Sequence, residues 1–233
     1  MNQTTKQAFL ARWSKYFPGA DLPVVISYVS EIGSLPEPDS TSASRCIICD
    51  LARAREGASL VFDQRTIRCG GARRYLGFET EMGPHFAEFL SCGIPGELEG
   101  ERYKRSPELV EQYLKGQPAF EAPARFIVFK RWDKLAPSDK PGVVVFLASP
   151  DVLSGLFTLA NFDEDRPDGV ITPFGSGCAS VVYHPYKELH SERPRAVLGM
   201  FDVSARPCVA PDLLSFAVPW PKFVTMVGHM DES

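Results

Sequence analysis

Six cysteines carry the first candidate chemistry in this chain, and they are unevenly placed. Cys46, Cys49, Cys69 and Cys92 precede a long interval, and Cys178 and Cys208 follow it. Cys46 and Cys49, three positions apart, project from one face of a helix, which is the geometry of two ligands to one metal centre. Cys69 precedes Gly70-Gly71 and Cys92 precedes Gly93, so backbone N–H groups can approach each sulfur. Thiolates in this number suit a [4Fe–4S] cluster or zinc. The second C-x2-C pair of a zinc ribbon is missing, as is the tight run of a bacterial ferredoxin. Two other readings stay open. The pair is core filler on an apolar helix face, or it exchanges disulfides, although a loop rather than a strand leads into its helix. The candidate metal ligands are Cys46, Cys49, Cys69 and Cys178, with Cys92 behind them and Cys208 a bystander.

A second pattern is Gly175-Ser176-Gly177-Cys178, just after Val170-Ile171-Thr172. A strand, a glycine turn and a cysteine at a helix start place the thiol where the helix dipole lowers its pKa. Cys178 is therefore the candidate nucleophile, and His184 lies six residues on, followed by Pro185. As a dinucleotide fingerprint the stretch lacks its third glycine. G-x-S-x-G, P-loop and H-E-x-x-H motifs are absent, and the four histidines show no ligand spacing.

The net charge of −4 is an average. Arg45 to Gly77 holds seven arginines (45, 53, 55, 65, 68, 73, 74), no lysine and three acids. A solvated face is the ordinary explanation. Arginine also favours thiolates and neutralises anions. That supports an alternative function, an enzyme or binding module for a small anionic ligand held by Arg73, Arg74, Arg206 and the backbone of Gly175 and Gly177. A third reading is a structural or interaction domain with a contact surface at Pro219-Trp220-Pro221 and around Trp132. The near-neutral total argues against a nucleic-acid partner. The longest apolar run, Val143 to Ala148, is far short of the roughly 20 residues of a membrane span. Met1 to Phe17 has no apolar core of a signal peptide. A cytoplasmic protein is expected, with reduced cysteines, no membrane partner and a homo-oligomer allowed.

The elements that must position these residues can be read from periodicity and caps. Phe9, Leu10, Trp13 and Phe17 define a first helix stopped by Pro18-Gly19, and Pro23 to Val29 a strand. Ile32 to Ser44 is a loop, Arg45 to Glu56 a helix, Ser59 to Phe62 a strand, and Cys69 opens a helix through Tyr75. Ser106-Pro107-Glu108 caps a helix that closes at Lys115-Gly116. Phe126 to Trp132 and Val143 to Ala148 are strands, and Ser149-Pro150-Asp151 starts the next helix. Val170 to Thr172, Ala196 to Phe201 and Leu214 to Val218 are late strands, with a helix after Cys178 and another from Pro221. About seven short strands with about six or seven helices, at 44 % apolar and 23 % charged residues, predict an α/β or α+β fold. One main domain over 1–233 with a mixed sheet is expected. The proline-rich stretch Gln117 to Pro123 is the candidate for a two-lobe division.

Taken together, these residues resemble the family of domain of unknown function 169, also called ArCR, of archaea and anaerobic bacteria, over most of the chain. An early block of a cysteine on an alanine-rich helix, then glycine, a strand and Cys-Gly-Gly, corresponds to Cys46 through Ala52, Gly57, Cys69-Gly70-Gly71 and Gly77. A middle block corresponds to Val143 to Leu159, followed by the glycine-flanked Cys178 and by Pro185. The late block resembles Leu198-Gly199-Met200-Phe201-Asp202 through Arg206, then Val218-Pro219. Many relatives carry a cysteine shortly before the late arginine. Here Met200 and Phe201 stand in that region and Cys208 follows the arginine. Cys49 and Cys92 lie outside the pattern. The resemblance implies Cys46, Cys69 and Cys178 as site candidates and a setting in anaerobic metabolism. The leading expectation is a cysteine-ligated metal or iron–sulfur centre with a redox or accessory role.

Overall fold

The computed structural model describes residues 3–38 and 46–232. The expected loop Ile32 to Ser44 is thus seen only to residue 38, and Arg45, expected to open a helix, lies outside the described residues. Chain order runs α1 (Gln3–Tyr16), β1 (Val24–Val29), α2 (Ile47–Arg55), β2 (Leu60–Phe62), α3 (Gly70–Tyr75), α4 (Phe86–Phe89), β3 (Gly93–Ile94), β4 (Leu98–Glu99) and α5 (Pro107–Lys115). It continues with β5 (Phe126–Arg131), β6 (Val143–Ala148), α6 (Pro150–Asn161), β7 (Val170–Ile171), a π-wound segment (Ala179–Tyr183), α7 (His184–Leu189), β8 (Ala196–Gly199), β9 (Leu214–Pro219) and α8 (Trp220–His229).

A strand with no polar side chain must be covered on both faces. All six residues of β6 are buried, and β6 sits at the centre of a sheet ordered β2-β5-β1-β6-β9-β8-β7. The pairs are antiparallel, except that β7 and β8 run parallel. Alternation then sends Ile26, Val143 and Val145 to one face, against Leu51 and Ala54 of α2, α3 and the π-wound segment. Val25, Val144 and Phe146 go to the other, against Phe9 and Trp13 of α1, Leu156 of α6 and Phe223 of α8. The result is one α/β domain of three layers. The helices and mixed sheet follow the expected class.

Several boundaries differ for local reasons. The strand expected to Phe201 ends at Gly199, because Met200 takes φ +73° and turns the chain out of the sheet. The last helix begins at Trp220 rather than Pro221, so that proline occupies a first-turn position where its missing N–H costs nothing. The α4 helix and the β3–β4 hairpin were not expected from sequence patterning, since neither is long enough to show a period. Gln117 to Pro123 is bound to its surroundings. Gln117 O accepts from Arg74 at 3.0 Å, Pro118 O from the Tyr183 hydroxyl at 2.8 Å, and Ala122 N–H donates to Gly77 O at 2.7 Å.

The reading of Trp132 as contact surface is corrected. Its ring is fully buried, 4.6 Å from Phe9 and 5.1 Å from Phe223, and Trp220 stacks on it at 6.3 Å. Burying large apolar side chains contributes about 1.5–3 kcal/mol each, and this aromatic group joins α1, the short helical turn Trp132–Lys134 and α8. Phe223→Ala is expected to lower stability by roughly 3–5 kcal/mol, read as a lower urea midpoint with the same secondary structure in the unstressed protein.

His184 gives a pH signature. Its Nε2 is buried with no hydrogen-bond partner among the described residues. Burial first, then Lys187, holds its pKa down from 6.5 to about 4. The unfolded chain therefore takes up this proton before the folded one. Stability attributable to His184 is present above pH 6.5 and is lost as pH falls towards about 4. Urea unfolding across that window should show the decline, and His184→Asn should flatten it.

Candidate functional site: a cysteine-lined cavity

Three helix starts bring distant cysteines together. Cys46 has extended backbone just before α2, and its carbonyl accepts from Cys49 N–H at 3.0 Å. Cys69 stands in the same way before α3, accepting from Arg73 N–H at 3.0 Å. Cys178 lies in the first turn of the helical stretch 177–189, directly before its π-wound part. π-turns inside helices are frequent at functional sites. All three cysteines line one cavity of about 210 Å³.

The cavity wall is aromatic and acidic. Tyr75, Phe86, Phe89, Tyr103 and Tyr113 contribute rings, and Glu101 and Asp202 contribute carboxylates. Asp202 is 4 % exposed. One of its oxygens accepts from Gly177 N–H at 2.9 Å. The other accepts from Ser204 N–H at 2.9 Å, from the Ser204 hydroxyl at 2.7 Å and from the Tyr103 hydroxyl. The segment bearing Glu101 and Tyr103 is fixed to α4, through Glu101 N–H to Phe89 O at 2.6 Å and Arg102 N–H to Ser91 O at 3.0 Å.

The two glycines before Cys178 allow close packing. A Cβ on Gly177 would lie 2.9 Å from Ile48 Cγ1 and 3.1 Å from Ala205 Cβ, and one on Gly175 would lie 2.8 Å from the Tyr113 hydroxyl. Neither glycine lines the cavity among the described residues, and nor do the three arginines expected to hold an anion. Arg73 donates to Ile67 O at 2.9 Å and faces Glu79 at 3.6 Å. Arg74 donates to Thr80 O and Gln117 O. Arg206 donates to Leu213 O, Ala210 O and Pro211 O. Backbone carbonyls outside regular structure need donors, and a guanidinium supplies five.

Cys49 and Cys208 correct the reading of six reduced thiols. They are joined as a disulfide with Cα atoms 4.8 Å apart. Cys208 is carried to α2 by the turn Arg206–Cys208, which the Arg206 guanidinium fastens to the loop beyond. The Cys208 sulfur is therefore no bystander. The sulfurs of Cys46, Cys49 and Cys208 all lie within 4.8 Å of one another. Cys69 and Cys178 fall outside that trio among the described residues. Cys92 is exposed on the hairpin, away from the cavity lining.

Cys178 is not activated in the expected sense. Burial pushes the Cys178 pKa up to about 12, with only partial relief from the Ser176 hydroxyl 3.1 Å away. Desolvation outweighs the helix start, because the sulfur has lost its water. Cys46 is also raised by burial, and further by Cys69 and Asp202. Glu101 is raised by burial and by the negative charge of Asp202 and Glu99. His184 does not line the cavity.

Sequence patterning missed Glu101, Tyr103 and Tyr113 as wall residues. The available signal was the Asp202-x-Ser204 turn, in which a carboxylate accepts from the backbone two residues on, but no local pattern pairs it with Tyr103. Fold and site together define a three-layer α/β domain with a cysteine-lined cavity on one side of its sheet. A family model described as DUF169, uncharacterised ArCR, matches residues 20–229, and the chain belongs to that family. No curated protein and no solved structure matches it. Among the described residues no helix is long and apolar enough to cross a membrane.

Burial and charge set the order of thiol reactivity. Native protein treated with iodoacetamide at pH 7 and mapped by mass spectrometry should label exposed Cys69 and Cys92 first and Cys178 last. Equal labelling should appear only after unfolding. Rapid native labelling of Cys178 would contradict the raised pKa.

Proposed function

We propose that this chain is a thiolate metal-binding protein whose ion is held by Cys46, Cys49 and Cys208 when the Cys49–Cys208 bond is reduced. The observation that carries the reading is the trio of sulfurs within 4.8 Å, drawn from two segments far apart in the chain. Thiolates on a tetrahedral ion with bonds of ~2.3 Å stand about 3.8 Å apart, so modest side-chain rotation would suffice. Sulfur donors favour zinc or the iron of an iron–sulfur centre over hard cations. Oxidation of Cys49 and Cys208 removes two of the donors, so occupancy would follow the thiol redox state, in keeping with a redox or accessory role. A reducing cytoplasm would keep the donors available. The nucleophilic reading of Cys178 draws no support from a thiol that stays protonated at neutral pH.

The test is anaerobic reduction with a phosphine, desalting, and titration with Zn²⁺, or with Fe²⁺ and sulfide, followed by metal analysis and a visible spectrum. About one centre per chain is expected in the reduced protein, and none in the air-oxidised one. Single serine variants at Cys46, Cys49 and Cys208 should each weaken binding by at least about tenfold. Cys92→Ser should bind as the parent does. Metal-free, colourless protein under reducing conditions would overturn the reading.

A further inference from the structure

The cavity beside the sulfur trio is lined by two carboxylates that no basic side chain among the described residues offsets. Asp202 is almost fully buried, and its four hydrogen bonds all come from neutral donors: two backbone N–H groups, Ser204 and Tyr103. Among the described residues it makes no ion pair, and neither does Glu101. Both carboxylates line the cavity, and no basic side chain among the described residues does. A buried charge is costly unless it is paired.

The rest of the wall suits a positive guest. Five aromatic residues line the space, and the faces of aromatic rings attract cations. The chain shows this attraction at one of them. The Lys104 ammonium, itself not a cavity residue, sits 4.8 Å from the Tyr113 ring centroid and 5.1 Å from that of Phe174. Ile47, Ile48 and Leu90 add apolar surface, so the guest needs an apolar body as well as a charge. At about 210 Å³ the space takes a single-ring molecule or a short branched chain.

We infer that this cavity binds a small organic cation, an ammonium group carried on an apolar or aromatic body, with the cation directed to Glu101 and Asp202 and the body against the aromatic wall. The charge is opposite to that of the small anion expected at Arg73, Arg74 and Arg206, which lie outside the lining. The raised pKa of Glu101 is consistent, since crowded carboxylates without a cation hold protons more tightly. The inference does not depend on the metal reading.

The test uses the full chain with the Cys49–Cys208 disulfide intact and EDTA present, so that failure of the metal reading cannot affect it. The probes are 2-phenylethylammonium, the neutral 2-phenylethanol and the anionic 3-phenylpropanoate, compared by isothermal titration and ligand-observed NMR. The ammonium should bind at least about tenfold more tightly than the alcohol, and the carboxylate more weakly than either. Glu101→Gln, which keeps the side chain's shape, should lose most of that preference while its circular dichroism stays that of the parent. Asp202→Asn should lose more, although it also disturbs the bonds to Gly177 and Ser204. Added 2-phenylethylammonium should slow alkylation of Cys69, a cavity-lining cysteine, and leave exposed Cys92 unaffected. Equal binding of ammonium and alcohol, preference for the carboxylate, an unchanged preference in Glu101→Gln, or no binding at millimolar probe would each overturn the inference.

Discussion

The site depends on the carboxylate of Asp202. Its two oxygens gather the start of the Cys178 helix through Gly177, the loop beyond β8 through Ser204, and the segment after the β3–β4 hairpin through Tyr103. These segments are remote in sequence and share no β-ladder. A buried carboxylate with neutral donors on both oxygens is a strong local constraint, because charge-assisted hydrogen bonds are the stronger kind and an unmet charge is expensive. Removing it would leave Gly177 N–H buried and reduce the ties of the Tyr103 segment to the main body.

Around that constraint the fold separates two kinds of work. One face of the sheet, with Phe9, Trp13, Trp132 and Phe223, has no cysteine in its core. The opposite face, beneath α2, α3 and the π-wound segment, includes Cys178 in its core and packs against Cys46 and Cys208. The arginines of the 45–77 run that are described mostly serve this second layer. Arg73 and Arg74 answer carbonyls around α3, and Arg53 and Arg65 pair with the nearby carboxylates of Asp50 and Asp63. A charge run that reads as an anion trap along the chain is, in space, largely a set of backbone and side-chain ties.

Much of the architecture was legible because it is local. The unbroken apolar run Val143 to Ala148 required a doubly covered strand. Ser106-Pro107 and Ser149-Pro150 marked helix starts that the structure keeps at Pro107 and Pro150. Cys46, Cys69 and Cys178 could be singled out from their neighbours, and all three reach the same cavity. What could not be read is long-range. Nothing near Cys208 indicates that its turn lands beside α2, and nothing near Tyr103 names Asp202 as its acceptor. The expected low pKa of Cys178 failed for a related reason. Dipole position follows from local sequence, whereas loss of solvent depends on Ile48, Tyr75 and the other residues brought over it by the fold.

The link between Cys49 and Cys208 has a meaning for the chain as a polymer. The two residues are 159 positions apart, so the segment they enclose contains every strand from β2 to β8. Closing a loop of that length restricts the unfolded chain by roughly 5 kcal/mol on an entropic argument. A shared ion would close the same circle by coordination. Only the reduced and metal-free chain is topologically open, and the loop carrying Cys208 is then held by non-covalent contacts, among them those of Arg206, Asp202 and the buried Ala205 and Val209.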